Sequence, residues 1–109
     1  MKIEEKLYDE LHLELSITHQ ILANAKSRQG KYEDAMTHQL KVKTIQEHHY
    51  PKDDVRIAPT FNNLATLCAK MNEVSEAVTY LELSLDILIV TTITLLSTYQ
   101  INKLKLKEI

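Results

Sequence analysis

The sequence predicts an all-α fold of antiparallel helix-turn-helix repeats, stacked as a short α-solenoid. The 109 residues include only one glycine and two prolines, which is too few for the turns of an all-β protein. Leu, Ile, Ala, Lys and Glu are plentiful and favour helices. The chain also matches itself at an offset of 42 residues. A fixed offset of this length is typical of a helical repeat architecture.

The 42-residue offset superposes helix-packing positions and one turn: Leu22 on Leu64, Ala23 on Ala65, Ala35 on Ala77, and Gly30 on Asn72. Gly and Asn are the residues that best tolerate the left-handed conformation in which helices end. The offset therefore predicts two equivalent turns as well as equivalent helices. Two close antiparallel helices are expected in the second repeat, because Ala65 and Ala77 are small.

The first repeat is predicted to contain two helices. The first covers residues 13–28, and its expected inward residues are Ile17, Ile21, Leu22 and Ala25. The second covers residues 32–47, with an apolar stripe of Tyr32, Ala35, Met36, Val42 and Ile45. Residues 48–54 then break the periodicity, and Pro51 followed by Asp53 and Asp54 predicts a linker and a new helix start.

The second repeat is predicted to contain a third helix over residues 59–71 and a fourth that starts near Glu73. Pro59 predicts either a helix start or a distorted first turn. The expected main stripe of the fourth helix is Val74, Ala77, Val78, Leu81, Leu85 and Leu88. Leu83 and Ile87 add apolar surface on another side, and a helix that is apolar on two sides packs against two neighbours.

Residues 89–109 do not continue the pattern of the two repeats. No third linker or repeat follows Ile87, so we expect a divergent tail, and a chain that is a fragment or a variant of a longer repeat protein. The tail has three candidate conformations: an extension of the fourth helix, a cap folded back on the array, or a β-branched strand. Glu82 and Asp86 limit the uncharged run to about 15 residues, short of the roughly 20 of a spanning helix. A core or capping role is therefore favoured over a membrane anchor.

The stretch from Phe61 to Ala77 carries a family resemblance. Its Asn62-Asn63-Leu64-Ala65 and Glu76-Ala77 segments resemble a tetratricopeptide repeat, particularly the longer repeats of the kinesin light chain type. The resemblance implies four segments: the end of a preceding repeat helix and linker at 1–12, repeat 1 at 13–54, repeat 2 at 55–88, and a tail or cap at 89–109. Tyr50 to Asp54 matches the family's linker only loosely.

The resemblance implies a protein-protein interaction module with an adaptor or scaffold role. In such arrays the first helix of each repeat lines a concave groove for a peptide. Carried over by alignment, the groove residues are Gln20, Asn24, Ser27, Arg28, Asn62, Asn63, Thr66 and Lys70. Asparagine amides can pair with a peptide backbone, and the two cations can meet a carboxylate. The alternative interpretation of this set is an ordinary solvated helix face.

Composition and motifs exclude several other function classes. The formal net charge of −2 gives no electrostatic case for nucleic acid. No signal-peptide core is present in residues 1–10, and a single cysteine is compatible with a reducing, cytoplasmic location. No catalytic motif, phosphate loop or metal-ligand spacing is present. We therefore predict no enzyme activity, metal or cofactor, with Cys68 in the core and all five histidines solvated.

The expected partner is a protein or a peptide, not nucleic acid. Self-association through the open end of the repeat array is a further expectation, because two repeats make only a short groove. A membrane-associated adaptor, held by the apolar tail, is the alternative function. Cytoskeletal association of a cytoplasmic protein extends the resemblance to the kinesin light chain type.

Overall fold

The computed structural model describes residues 12–107, and these form four α-helices and one 3-10 turn without strands. The all-α prediction is confirmed. In chain order the elements are α1 (Leu13–Arg28), α2 (Tyr32–His49), a 3-10 turn (Val55–Ile57), α3 (Ala58–Lys70) and α4 (Val74–Lys107). The predicted segment 1–12 lies almost wholly outside the described residues.

The helices form two hairpins, and the second helix of the first hairpin meets the first helix of the second. α1 packs on α2, α3 packs on α4, and the hairpins are joined chiefly by α2 and α3. A buried cluster of Ile57, Ala58, Phe61, Leu64 and Ile87 lies at this junction, with Met36 and Tyr50 packed against it. The hydroxyl of Thr60 also donates a hydrogen bond to the side-chain oxygen of Gln46 on α2.

The two tight turns are built identically, as the 42-residue offset predicts. Gly30 has φ of 77° and Asn72 has φ of 62°, so both occupy the left-handed region. In each turn the residue after the left-handed one donates its backbone N–H to a carbonyl in the last turn of the preceding helix. Lys31 donates to the Lys26 carbonyl at 2.9 Å, and Glu73 donates to the Cys68 carbonyl at 2.8 Å. This pairing is the 6→1 bond of a Schellman motif.

The linker between the hairpins is fixed by Asp54 and Arg56. The Asp54 carboxylate accepts the Arg56 backbone N–H at 2.9 Å and the guanidinium Nη2 at 2.8 Å. These hydrogen bonds lower the pKa of Asp54 to about 2. The guanidinium also lies 3.8 Å from the centre of the Tyr50 ring. The 3-10 turn that follows leads into α3, whose first turn contains Pro59, as the sequence predicts.

Two of the predicted apolar stripes face away from the core. In α1 the expected inward residues are exposed, with Ile17 and Ile21 each 63% accessible, whereas Ser16 and Ala23 are buried. In α4 only Ala77 of the predicted main stripe is buried; the exposed members are Val74, Val78, Leu81, Leu85 and Leu88. The cause is the same in both helices. In each of them the neighbouring helix packs on a different face from the one that carries the predicted stripe.

The α4 helix faces α3 through Ala77, Tyr80, Ser84 and Ile87, which recur at intervals of three and four. Ser84 is buried because its hydroxyl donates to the Ala58 carbonyl at 3.0 Å. The predicted stripe of α2 is correct at Ala35, Val42 and Ile45, all of which are buried. Leu64, Ala65 and Cys68 of α3 are also buried, as predicted, and so is Leu67.

The tail adopts the first of the three predicted conformations, because α4 continues without interruption to Lys107. From Thr92 to Lys107 every residue of α4 is exposed, so this part of the helix covers neither hairpin. By length and composition, α4 is the single helix in the described part of the chain that could cross a membrane.

The left-handed turn at Asn72 generates a stability prediction. Asn72→Ala is expected to lower the free energy of unfolding by about 1 kcal/mol, because a Cβ without a compensating polar group is strained at positive φ. Asn72→Gly should retain the wild-type value or exceed it. Urea unfolding monitored by circular dichroism measures both, and equal values for the Ala and Gly variants would contradict the role of the turn.

Candidate functional site: the exposed face of α3 and the cleft beside it

The face of α3 that points away from the core carries four of the predicted groove residues. Asn62, Thr66 and Lys70 are exposed, and Asn63 is half-buried. The opposite face of the same helix is buried against α2 and α4, so the helix has a sharp boundary between packing and accessible sides. The Thr66 hydroxyl donates to the Asn62 carbonyl at 3.0 Å. Within residues 12–107, the structure gives the Asn62 and Asn63 amides no hydrogen-bond partner.

The predicted groove residues of α1 divide into two kinds. Asn24 and Arg28 are exposed and Ser27 is half-buried. Gln20 instead turns towards α2 and forms two reciprocal hydrogen bonds with Gln39, each 2.9 Å long. Gln20 also donates to the Asn24 side-chain oxygen at 3.1 Å. Gln20 therefore joins two helices and positions Asn24, rather than presenting a free amide.

The Gln20–Gln39 pair is a buried polar contact that the sequence analysis did not predict. Gln39 is 1% accessible, and its side chain would be costly to bury without a partner. At the 42-residue offset these positions correspond to Asn62 and Leu81. The contact links residues that are 19 apart in sequence, so no local pattern reveals it.

A stacked ring pair occupies equivalent positions in the two hairpins. His19 and His38 stack with centroids 5.3 Å apart, and their Nδ1 atoms are 3.1 Å apart. Phe61 and Tyr80, at the 42-residue offset, stack with centroids 6.1 Å apart. The prediction that every histidine is solvated is wrong at His19 and His38, which are half-buried between α1 and α2.

The geometry of His19 and His38 suits one hydrogen bond between their two Nδ1 atoms. Burial lowers the pKa of His19, and the positive charges of Lys41 and His38 lower it further. A neutral imidazole can donate from one ring nitrogen or accept at the other. One Nδ1–H can therefore donate to the lone pair of the other Nδ1 as long as at least one ring is neutral. The sequence signal for this pair is the match of two histidines to two aromatic residues at the repeat offset.

The remaining histidines lie at helix ends. His12 caps α1 by accepting the Glu14 N–H at its Nδ1, over 3.3 Å. His48 and His49 lie in the last turn of α2, and their rings meet edge to face at 5.1 Å.

Cys68 is buried in the helix packing, as predicted, and lies near two carboxylates. The donor atoms of Cys68, Glu73 and Glu76 lie within 4.8 Å of one another. Burial, followed by the charges of Glu76 and Glu73, raises the pKa of the thiol. A hydrogen bond from Glu76 raises the pKa of Glu73. Burial thus disfavours the thiolate of Cys68, the form in which a cysteine is a nucleophile.

A cleft of about 550 Å³ opens beside the exposed face of α3. α3 and the turn before it supply Val55, Pro59 and Asn62, and α4 supplies Leu81, Leu85 and Leu88. Its walls are mainly apolar, and all of its lining residues belong to the second hairpin and the turn before it. Asn62 belongs both to this cleft and to the polar face, so the two candidate surfaces adjoin.

A family model for the tetratricopeptide repeat matches residues 13–89. The chain belongs to the tetratricopeptide repeat family. The match covers both hairpins and ends within α4, so residues 90–107 of that helix lie beyond it. No curated protein matches the chain. Repeats of this family generally mediate protein-protein interactions and are typically non-enzymatic.

The Gln20–Gln39 pair generates a prediction from double substitution. Gln39→Leu is expected to lower the free energy of unfolding by about 1–3 kcal/mol, because it leaves the Gln20 amide facing an apolar group. The double variant Gln20→Leu/Gln39→Leu should recover most of that loss, since neither partner is left unsatisfied. Urea unfolding of the wild type, both single variants and the double variant measures the coupling. Additive losses would show that the two amides do not depend on each other.

The His pair generates a prediction about pH. The folded-state pKa of His19 lies below 6.5, so the unfolded chain binds more protons just below that value. The contribution of this pair to stability is complete above pH 6.5 and declines as the pH falls towards the folded-state pKa.

The variant His19→Phe/His38→Tyr copies the second repeat and removes the His19 imidazole, whose pKa is lowered in the folded chain. The urea midpoint should fall less between pH 7.5 and pH 5.5 for this variant than for the wild type. The other histidines are common to both proteins and cancel in the comparison. An equal fall in both proteins would contradict the role assigned to the pair.

Proposed function

We propose that the chain binds an extended peptide segment of a partner protein on the concave side lined by α1 and α3, and acts as an adaptor or scaffold. One observation carries the proposal: α3 is buried on one face and presents Asn62, Thr66 and Lys70 on the other. These residues are spaced by four along the helix, so they form one continuous stripe. The family's general role in protein-protein interaction supports this choice.

The chemistry of this stripe suits an extended chain. A peptide without secondary structure carries unpaired N–H and carbonyl groups, and an asparagine amide offers both a donor and an acceptor. The side-chain amides of Asn62 and Asn63 have no hydrogen-bond partner within the described residues. Lys70 and Arg28 are exposed cations near the ends of α3 and α1, and either can pair with an acidic side chain or a terminal carboxylate.

The α1 helix contributes a preorganised amide to the same binding mode. Gln20 holds the Asn24 side-chain oxygen at 3.1 Å, while Gln39 holds Gln20. An amide that is fixed before binding loses less conformational entropy when a peptide arrives. Gln20 therefore acts in support of Asn24, and Asn24 is the α1 residue expected to contact the ligand.

The 42-residue length of the repeat supports the proposal that these tetratricopeptide repeats are similar to those of the kinesin light chain type. Gly30 and Asn72 occupy equivalent turns, and the His19–His38 and Phe61–Tyr80 pairs occupy equivalent packing positions, all at an offset of 42. A cytoplasmic location with cytoskeletal association is part of the same proposal. Imaging of a tagged full chain tests it, and exclusive localisation in an organelle lumen would contradict it.

A membrane-associated adaptor is the second candidate, and one observation favours it: α4 is long, apolar and largely exposed. Its uncharged run is limited by Asp86 and Lys103, which leaves residues 87–102. These sixteen residues span about 24 Å at 1.5 Å each, short of the roughly 30 Å of a bilayer core. Extraction of the expressed protein by alkaline carbonate would count against the anchor.

The peptide-binding proposal predicts the effect of removing two amides. A random peptide-display library is selected on the wild-type chain, and a selected peptide is labelled with fluorescein. Asn62→Ala/Asn63→Ala should raise its dissociation constant about tenfold, because each lost hydrogen bond costs about 0.5–1.5 kcal/mol. Fluorescence polarisation measures the change.

The matched control is Thr37→Ala/Lys41→Ala, which changes two exposed polar residues of α2. This variant should retain the wild-type affinity, because α2 is the outer helix of its repeat. Selected peptides that bind the two double variants equally well would remove the α3 face as the binding site.

A further inference from the structure

The outward side of α4 carries a continuous stripe, here called the seam. Its members are spaced alternately by four and three residues: Leu81, Leu85, Leu88, Thr92, Leu95, Tyr99, Asn102 and Leu106. All lie on the exposed side of α4. The alternation of four and three is the spacing by which two long helices pack side by side. The stripe runs for 26 residues, which is longer than the roughly 12–15 residues below which an isolated helix is marginal in water.

We propose that the chain forms an antiparallel homodimer in which the seam of α4 packs on the seam of a second copy. An antiparallel arrangement centred between Thr92 and Leu95 places Leu81 opposite Leu106, Leu88 opposite Tyr99, and Thr92 opposite Leu95. Each of these residue pairs occurs twice in the dimer, because the two copies are related by two-fold symmetry. This inference goes beyond peptide binding and does not depend on it.

Charge decides the direction of the pairing. One of the two flanks of the seam consists, at intervals of seven, of Glu82, Ile89, Leu96 and Lys103. In the antiparallel arrangement Glu82 of each copy lies beside Lys103 of the other, and Ile89 lies beside Leu96. A parallel arrangement would instead bring together the acidic ends of the two helices, which carry Glu82 and Asp86, and likewise their lysine-rich ends, which carry Lys103 and Lys105. Like charges side by side are unfavourable, so the flanking residues select the antiparallel pair.

The cleft between α3 and α4 identifies where the second copy lies. Leu81, Leu85 and Leu88 belong both to the seam and to the cleft wall. The antiparallel helix of the second copy therefore brings its residues 99–106 into this cleft. It occupies the position that the first helix of a following repeat would take, just as α3 lies on α2. Repeat arrays need a cover for such an end face, and each copy covers the other.

The same geometry argues against the other occupants. The tail of the same chain does not fold back over the cleft, because α4 is one helix to Lys107. The cleft has mainly apolar walls on α4, whereas the peptide face of α3 is polar, so a polar extended peptide suits the neighbouring surface better. A bilayer would leave the Leu81 to Leu88 part of the seam uncovered, because this part adjoins the folded hairpins.

The test uses the full chain and two matched leucines. Leu95 lies at the centre of the seam and is 65% accessible, and Leu104 lies on the opposite side of α4 and is 60% accessible. Leu95→Glu should raise the dimer dissociation constant about 100-fold, because a carboxylate would be buried twice in each dimer. Leu104→Glu should leave the dimer intact. Sedimentation equilibrium in buffer without detergent measures both, and circular dichroism checks that both variants remain helical.

A charge exchange tests the direction of the pairing. Glu82→Lys should weaken the dimer, and Glu82→Lys/Lys103→Glu should restore it, because only the antiparallel pair exchanges the two charges between copies. A monomeric wild type at micromolar concentration would overturn the proposal, as would equal effects of Leu95→Glu and Leu104→Glu. Failure of the double charge variant to recover, or sedimentation of the wild type with neutral phosphatidylcholine vesicles in place of dimerisation, would also overturn it.

Discussion

The close approach of α3 and α4 is the constraint on which the rest of the structure depends. Ala65 and Ala77 are small enough to let the helices meet, and Ser84 adds a hydrogen bond to the Ala58 carbonyl at 3.0 Å. This contact commits one face of α4 to α3 and brings Ile87 into the core cluster. The second apolar face of α4 is consequently turned outward, where it forms one wall of the cleft. The packing of α4 on α3 thus produces both the buried core and the apolar outer face of α4, which no helix within residues 12–107 covers.

The first hairpin reaches the same geometry with polar side chains. Where the second hairpin stacks Phe61 on Tyr80, the first stacks His19 on His38, and beside that pair Gln20 bonds to Gln39. Hydrogen bonds are directional, so these contacts fix the relation of α1 to α2 more narrowly than apolar contact does. The two hairpins therefore share one architecture but differ in what destabilises them. The stability of the first depends on pH and on keeping both amides of the Gln20–Gln39 pair. The stability of the second depends on the volume of its buried apolar side chains.

The accessible surface separates into two regions with different chemistry. The stripe on α3 is polar and suits a peptide backbone, whereas the seam on α4 is apolar except at Thr92 and Asn102 and suits another helix. Asn62 lies where the two regions adjoin. A dimer formed through α4 would leave most of the polar stripe open and would place two such stripes in one assembly. Two linked sites can bind a bivalent partner more tightly than either site alone.

The sequence by itself determined the bounds of the first three helices to within two residues, the start of α4, the two left-handed turns and the repeat offset, whereas it left the conformation of residues 89–109 open. These depend on local features: helical periodicity, the conformational tolerance of Gly30 and Asn72, and the restriction imposed by Pro59. Only the tertiary structure decided which apolar stripe is buried. Ile17 and Ile21 of α1, and Leu81 of α4, belong to stripes as regular as those inside, but the neighbouring helix covers the other face. Only the tertiary structure decided that Gln20 is engaged by α2, because its partner lies 19 residues away and the contact exists only after the hairpin forms.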